Sequence, residues 1–290
     1  MTFQPFGKLD SAPSFLRPVE FRAVRSVDEL KAAANLVYRE YMSRGYLTAH
    51  PSELKLSLYN ALTTTTTFVG VHHRLGVIAT ITLIVDSPLG LPMDEIYKTE
   101  LDELRSAGHL LAEASMLALD SRLFGRKVFT LFHPKKMFLT LRLFKILFDY
   151  MRSGTSASEL VACFNPKHQS LYDLLHLEPL GRLKYYSSAN GNPAIARHLN
   201  IAKMQPSGSC SPIMQFFYGK PVSGKSFANR LVLSPENLEE LFVRQVPVFA
   251  SASRTEMDHV VRCYPSYDFS QILASIPASA DAVSQPSGNG

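Results

Sequence analysis

Two β-branched, apolar runs lie almost end to end in the first third of the chain: TTTTTFVGVHH (63–73) and GVIATITLIVDS (76–87), parted by Arg74-Leu75. So short a gap favours a tight antiparallel hairpin. Helix and strand patterns then alternate, so a sheet that takes in this hairpin must mix strand directions. The expected class is α/β (α+β), a mixed central sheet flanked by helices.

FRAV (21–24) reads as a short strand, and S-V-D-E (26–29) as a capping box that opens a helix reaching toward Gly45. DEIYKTELDELRSAG (94–108) predicts a polar helix, HLLAEASMLALD (109–120) a strand, and Pro134 the first residue of a long helix. On that helix Lys135, Arg142, Lys145, Asp149 and Arg152 are expected to form one solvated face, opposite Met137, Leu141, Phe144, Phe148 and Met151. ELVACF (159–164), HQSLYDLLH (168–176) and RLKYY (182–186) continue as strand, short helix and strand.

The expected organisation is a flexible arm over 1–18, a sheet domain over 19–220, a helical C-terminal extension over 221–270 and a disordered tail over 271–290. The extension carries SPENLEELFVRQV (234–246), with Ser234 as cap, and a shorter helix near 254–262.

Hydrophobic residues make up 46% and charged residues 19% of 290, enough apolar material for a sizeable core. The net charge of +5 suits an acidic partner but gives no sign of nucleic-acid binding. Cys163, Cys210 and Cys263 lack metal or redox spacing and read as reduced thiols. His72 and His73 are expected on opposite strand faces, and no metal site is expected. The start lacks a signal-peptide pattern and no run is long enough to span a membrane, so a cytoplasmic location without integral membrane contact is expected.

GKPVSGKS (219–226) matches the phosphate-binding pattern G-x-x-x-x-G-K-[ST]. That chemistry needs a delivering strand, a helix N-terminus after the loop, and a later apolar strand ending in an acid for Mg²⁺. SPIMQFFY supplies the first, FANRLVL is too short for the second, and the third is missing. A flexible basic turn is the expected role, with contact to a phosphate on some other ligand as the alternative.

By strand alternation, Glu113, Ser115 and Leu117 share one face and Ala112, Ala114 and Met116 the other. A carboxylate and a hydroxyl two residues apart on a central strand must be solvated, hydrogen-bonded or lining a cavity. Arg105 or Arg39 could pair with the Glu in a purely structural role.

LVYREYMSRGY (36–46), TLIVDSPLGLPMDEIY (82–97), the ELDELR-AG helix and E-A-S-M-L (113–117) resemble the long-chain N-acyl amino acid synthases. These are relatives of the acyl-homoserine-lactone synthases with the GNAT acyltransferase fold. The resemblance spans about 21–187. Met116 stands where the lactone synthases have Arg, and their N-terminal Trp is absent, which argues against a lactone product. The Gly-rich pyrophosphate loop of CoA-using GNATs is absent too, which favours a carrier-protein thioester.

The resemblance implies transfer of a fatty acyl group from acyl carrier protein to the α-amine of an amino acid. Glu113 would be the base and Ser115 would orient it or the acceptor. Asp86 would hold the ammonium group or merely cap a turn, with Arg39 and Arg105 as further substrate-binding candidates. Leu111, Leu117, Phe138 and Leu141 are candidate walls of an acyl tunnel. Arg122, Arg126, Lys127, Lys135, Lys136 and Arg142 would face the acidic carrier protein or its phosphopantetheine, or simply the solvent. No cofactor is expected beyond that donor arm. A CoA-dependent acyltransferase and a non-catalytic acyl-chain or carrier-protein binding module of the same fold stand as alternatives.

Overall fold

The computed structural model describes residues 19–124, 133–201, 215–217 and 219–276. It divides into two compact units: residues to 55 with 64–231, and residues 56–63 with those from 232 on. The expected arm over 1–18, together with Cys210, Arg126 and Lys127, lies outside the described residues.

The first unit is a seven-stranded sheet. Its strands are β1 (Val19–Ala23), β2 (Thr66–His72), β3 (Gly76–Val85), β4 (Leu111–Leu119), β5 (Glu159–Phe164), β6 (Glu178–Tyr186) and β7 (Asn192–Asn200), in the order β1-β2-β3-β4-β5-β7-β6. The β2–β3 hairpin forms as expected, and every neighbouring pair is antiparallel except β4–β5. A parallel pair needs a long crossover, and α3 (Pro134–Gly154) supplies it.

α3 covers one face of the sheet. Leu143, Phe144, Leu147 and Phe148 join Phe68, Leu83, Ala112 and Ala114 in one buried cluster. Each buried Leu or Phe side chain among them contributes roughly 2 kcal/mol by leaving water. α1 (Val27–Met42) covers the other face, packing Leu36 and Val37 on Met116 and Ala118. Ser26 caps α1 by accepting from the Glu29 N–H. The Glu29 carboxylate, instead of closing the box, takes Arg22 in a two-pronged ion pair at 2.6 and 2.7 Å. α2 (Asp94–Ser106) lies near β6, and α4 is short (Gln169–Leu174).

Three expectations are corrected here. β7 is missing from the sequence reading because NPAIARHLN opens on Asn-Pro and carries Arg and His, yet it fills the slot between β5 and β6. The α3 polar stripe is not wholly solvated: Lys145 and Asp149 are buried and paired at 2.6 Å. Arg152 also pairs with Asp149, the Val222 N–H donates to its Oδ2 at 2.9 Å, and Lys145 and Arg152 both donate to the Phe217 carbonyl. Residues 215–217 and 219–222 thus cover that stripe. Finally, His73 lies just past the end of β2, and its ring sits 4.7 Å from that of His72 instead of across the sheet.

Residues 219–231 belong to the first unit, beyond the expected boundary at 220. The Leu231 N–H donates to Val24 O at 2.7 Å, and Arg25 donates to Lys225 O at 2.9 Å.

The second unit holds α5 (Pro235–Glu239), which runs into a π turn (Glu240–Gln245), then α6 (Arg254–Arg262) and α7 (Ser270–Ser275). Capping boxes at Ser234 and Ser253 start the first and the second of these helices. Tyr264 donates to Ala61 O at 2.6 Å, which draws 56–63 into this unit. The expected disordered tail is corrected at its start: α7 is helical with Ile272 buried, and the Asp268 side chain accepts from Ser270 ahead of it. Residues 277–290 lie outside the described residues.

Candidate active site

β4 carries a bulge that decides which side chains meet. Its register against β3 runs Ile84↔Glu113 and Thr82↔Ser115, then slips before Thr80↔Ala118. Met116, at the slip, takes a left-handed backbone with φ of 54°, a strained conformation for a non-glycine residue. The extra residue reverses the alternation. Leu117 and Leu119 pack with Ala112 and Ala114 under α3, while Met116 and Ala118 face α1. Glu113 and Ser115 share a face as expected, but Leu117 does not join them.

On the other side of β4 the parallel ladder with β5 stops at Glu113↔Val161. β4 continues to Leu119 and β5 to Phe164 without further pairing to each other, so a splay opens beside Glu113. Cys163, two residues past Val161, shares the Glu113 face across that splay.

Glu113 is buried at 4% exposure. It has no ion-pair partner among the described residues. The Met93 N–H donates to its Oε2 at 2.9 Å and the Ser115 hydroxyl to its carboxylate. Burial pushes its pKa up to about 7; the two hydrogen bonds pull down and nearby Asp94 adds to the rise. This is a buried carboxyl that exchanges its proton near neutrality.

The two arginines considered as its partners are engaged elsewhere. Arg105 gathers Asp86 (2.6 Å), Asp94 (2.7 Å) and Asp102 (2.8 Å). Those pairs push the Arg105 pKa up, Asp94 first. Asp86 also accepts from the Ser87 N–H, and Asp94 from the Leu91 N–H at 2.6 Å. The clamp therefore fixes the 86–94 turn that delivers the Met93 N–H to Glu113. Arg39 lies 3.7 Å from Asp120.

Around the splay stand groups held neutral. Burial pushes the Cys163 thiol far up, and the charges of Glu113 and Glu95 add to it. Burial pushes Tyr41 up to about 12, despite opposition from Arg44. Tyr172, stacked on Phe164 at 3.5 Å, is raised by burial too.

Of the expected basic residues, Arg122 is tied to Asp120 at 2.5 Å, Lys136 lies over the Phe124 ring at 5.3 Å, and Arg142 sits 5.5 Å from both Phe138 and Phe216. Lys135 is half-buried. Sequence reading missed two cations: burial pushes His168 down to about 4, and Lys167, Arg44 and Lys136 all add to it. These three come from the turn after β5, the end of α1 and the start of α3, a gathering that no linear window reveals. Of the expected tunnel residues, Leu141 belongs to the buried cluster under α3 with Leu117 and Phe138 packed against it, whereas Leu111 is buried outside that cluster.

In GKPVSGKS, Gly224–Ser226 forms one 3-10 turn with Ser223 capping the Lys225 N–H, and the Val222 N–H is spent on Asp149. Residues 215–217 ahead of it are helical, not strand. The next helix after the turn is α5 (Pro235–Glu239), five residues long and eight residues further on, so no helix N-terminus faces the loop among the described residues. Among the described residues no cluster has metal-binding composition, and no helix is long and apolar enough to cross a membrane.

A mixed seven-stranded sheet, splayed at its parallel pair beside a bulged strand and flanked by helices, defines a GNAT-like acyltransferase. The family described as N-acyl amino acid synthase FeeM matches residues 32–200, more than half of the chain. The chain belongs to that family and is an N-acyltransferase. It is similar to the solved structure of FeeM, an N-acyl amino acid synthase from uncultured soil microbes. Identity is 29%, with 64% of this chain and 92% of that one covered, at a TM-score of 0.53. The acyl-homoserine-lactone synthase LasI aligns at 14% identity, covering 71% of this chain and 96% of its own, with a TM-score of 0.46. No curated protein matches the sequence.

Proposed function

We propose that the chain transfers a long-chain fatty acyl group from an acyl carrier protein thioester to the α-amine of an amino acid. The observation that carries this reading is Glu113: a buried carboxyl with no cation partner among the described residues and a pKa near 7, beside the β4–β5 splay. An amino acid arrives as an ammonium ion and must lose a proton before it attacks. Glu113 takes that proton, directly or through water, and Ser115 keeps the carboxylate oriented.

The amine nitrogen then bonds to the thioester carbonyl carbon. Main-chain N–H groups of bulged β4 beyond Ala114 are the natural donors to the oxyanion. Collapse breaks the C–S bond; the phosphopantetheine thiolate leaves and collects the first proton from Glu113, and the nitrogen then gives its second proton to the freed Glu113 carboxylate, which passes it to water. Cys163 takes no acyl group in this scheme, because a thiol held so firmly protonated is a poor nucleophile. Transfer is direct.

Asp86 and Arg105 act through each other, holding the turn that positions Met93, instead of touching substrate. Lys136, with Arg44 and Lys167 near it, faces the carrier protein and the phosphate of its arm, and Lys135 and Arg142 extend the same surface. Leu117, Phe138 and Leu141 lie on the α3 side, where an acyl chain entering the splay would run.

The test is mass spectrometry of a reaction holding the full chain, a long-chain acyl carrier protein and an equimolar mixture of the twenty amino acids. An N-acyl amino acid and free carrier-protein thiol are expected. Intact acyl carrier protein with product appearing only from acyl-CoA would overturn the donor assignment.

A further inference from the structure

The bulge in β4 has to be held in place. Met116 takes a left-handed backbone with φ of 54°, and a non-glycine residue stays there only where its surroundings over-determine it. The neighbouring strands give little help at that point. The β3 ladder slips between Thr80 and Thr82, and the β5 ladder ends at Glu113↔Val161. The cover comes from α1, whose Leu36 and Val37 pack on Met116 and Ala118, with Tyr41 against the same group.

Glu40 lies on the same stripe of α1, four residues beyond Leu36. It is a carboxylate, and it is 3% exposed. Its Oε1 accepts the Ser121 N–H at 2.9 Å. Ser121 opens the 3-10 turn (Ser121–Leu123) that follows β4, and Asp120 before it donates its N–H to Ile78 O at 2.9 Å. Glu40 Oε2 lies 2.9 Å from Arg44, which also donates to the Glu40 carbonyl. Packing alone does not call for a carboxylate here. A buried charge is costly, and an apolar side chain of the same length would cover β4 as well. What the carboxylate adds is a directional bond from α1 to the chain as it leaves the bulged strand.

We propose that Glu40 is a positioning residue, which through Ser121 holds the bulged end of β4 so that its main-chain N–H groups meet the thioester carbonyl. This rests on the acyl-transfer reading and on β4 as the source of the oxyanion donors. Donors that drift lose contact with the transition state while substrate binding survives, so the effect belongs in kcat. Arg44 belongs to the face assigned to the carrier protein, and its pairing with Glu40 joins that face to the strand.

The test compares wild type, Glu40→Met and Glu40→Gln in acyl transfer from a long-chain acyl carrier protein. Methionine fills the same space without accepting the Ser121 N–H, and glutamine keeps an acceptor oxygen. Glu40→Met should lose about tenfold or more in kcat. Its KM for the acyl carrier protein should not rise, and its pH midpoint near 7 should stay, because Glu113 is untouched. Glu40→Gln should keep kcat within about threefold of wild type. Wild-type kcat in Glu40→Met overturns the proposal, and so does a Glu40→Gln enzyme that falls as far as Glu40→Met.

A second arm needs no turnover. Amide hydrogen exchange over residues 115–123 should be faster in Glu40→Met than in wild type, with exchange over 76–85 unchanged. Equal exchange over 115–123 in the two proteins overturns the hold on β4. Should wild type acylate no amino acid, the proposed reaction falls, and the exchange result alone decides whether Glu40 holds the strand.

Discussion

The Met93 N–H donates to the Glu113 carboxylate over 2.9 Å, joining the end of a clamped turn to the middle of the central strand. This bond lowers the pKa of Glu113 against the burial that raises it. The balance leaves the group near neutrality, where a general base is most effective. Everything that fixes the turn therefore tunes the base.

Arg105→Met removes the hub of the three-aspartate clamp. Partly buried aspartates would lose their counterion, at a cost of about 3 kcal/mol in unfolding free energy. The freed turn would also weaken the Met93 contact, so the pH midpoint of activity should move upward from near 7. Denaturant melts and a pH series on the variant check both effects. Arg105→Lys should not rescue it, since one ammonium cannot replace a fork that serves three carboxylates.

Glu113→Gln should alter stability with a definite sign. The folded carboxyl has its pKa raised from an ordinary 4.5 to about 7, so the folded state holds the proton more tightly than the unfolded state. Wild-type stability from this group is fullest below pH 4.5 and falls as pH rises toward 7. The variant should melt higher than wild type at pH 8, by about 3 kcal/mol at most, and the gap should close near pH 4. Thermal melts across that range measure it.

Asp149→Ala leaves Lys145 and Arg152 without their shared carboxylate beneath Phe217 and Val222. Breaking one side of a buried pair costs roughly 3–5 kcal/mol. Faster proteolysis around Phe217–Val222, seen by limited digestion, should accompany the loss, because the Val222 N–H loses its acceptor as well.

Lys225→Ala should leave acyl transfer and melting temperature nearly unchanged, and titration calorimetry should find no ATP binding in either protein. The Lys225 side chain is exposed, and the contact that matters there is the main-chain oxygen taken by Arg25.

The sheet and the base were legible because their signals are local. The 63–87 hairpin shows in its β-branched runs, and Glu113 and Ser115 show as a polar pair on one strand face. What escaped depends on tertiary geometry. A bulge at Met116 leaves no mark on a run of Ala, Ser, Met and Leu, so simple alternation puts Leu117 on the wrong face. β7 was hidden by Pro193 and two basic residues, Arg197 and His198. Arg197 is buried against Asp173 and His198 is half-buried against Glu159, partners that no strand pattern contains. The α3 stripe reads as solvated until Phe217 and Val222 are laid over it. Arg44, Lys136 and Lys167 come from three separate elements and gather only in the fold.

The central claim is that Glu113 is the base, and the pH dependence of kcat/KM for acyl transfer tests it most directly, in wild type and in Glu113→Gln. The account predicts a wild-type rate that rises with a midpoint near 7, and a variant slower by about a hundredfold or more that has lost that midpoint. A variant that keeps both the wild-type rate and the step near 7 would contradict it.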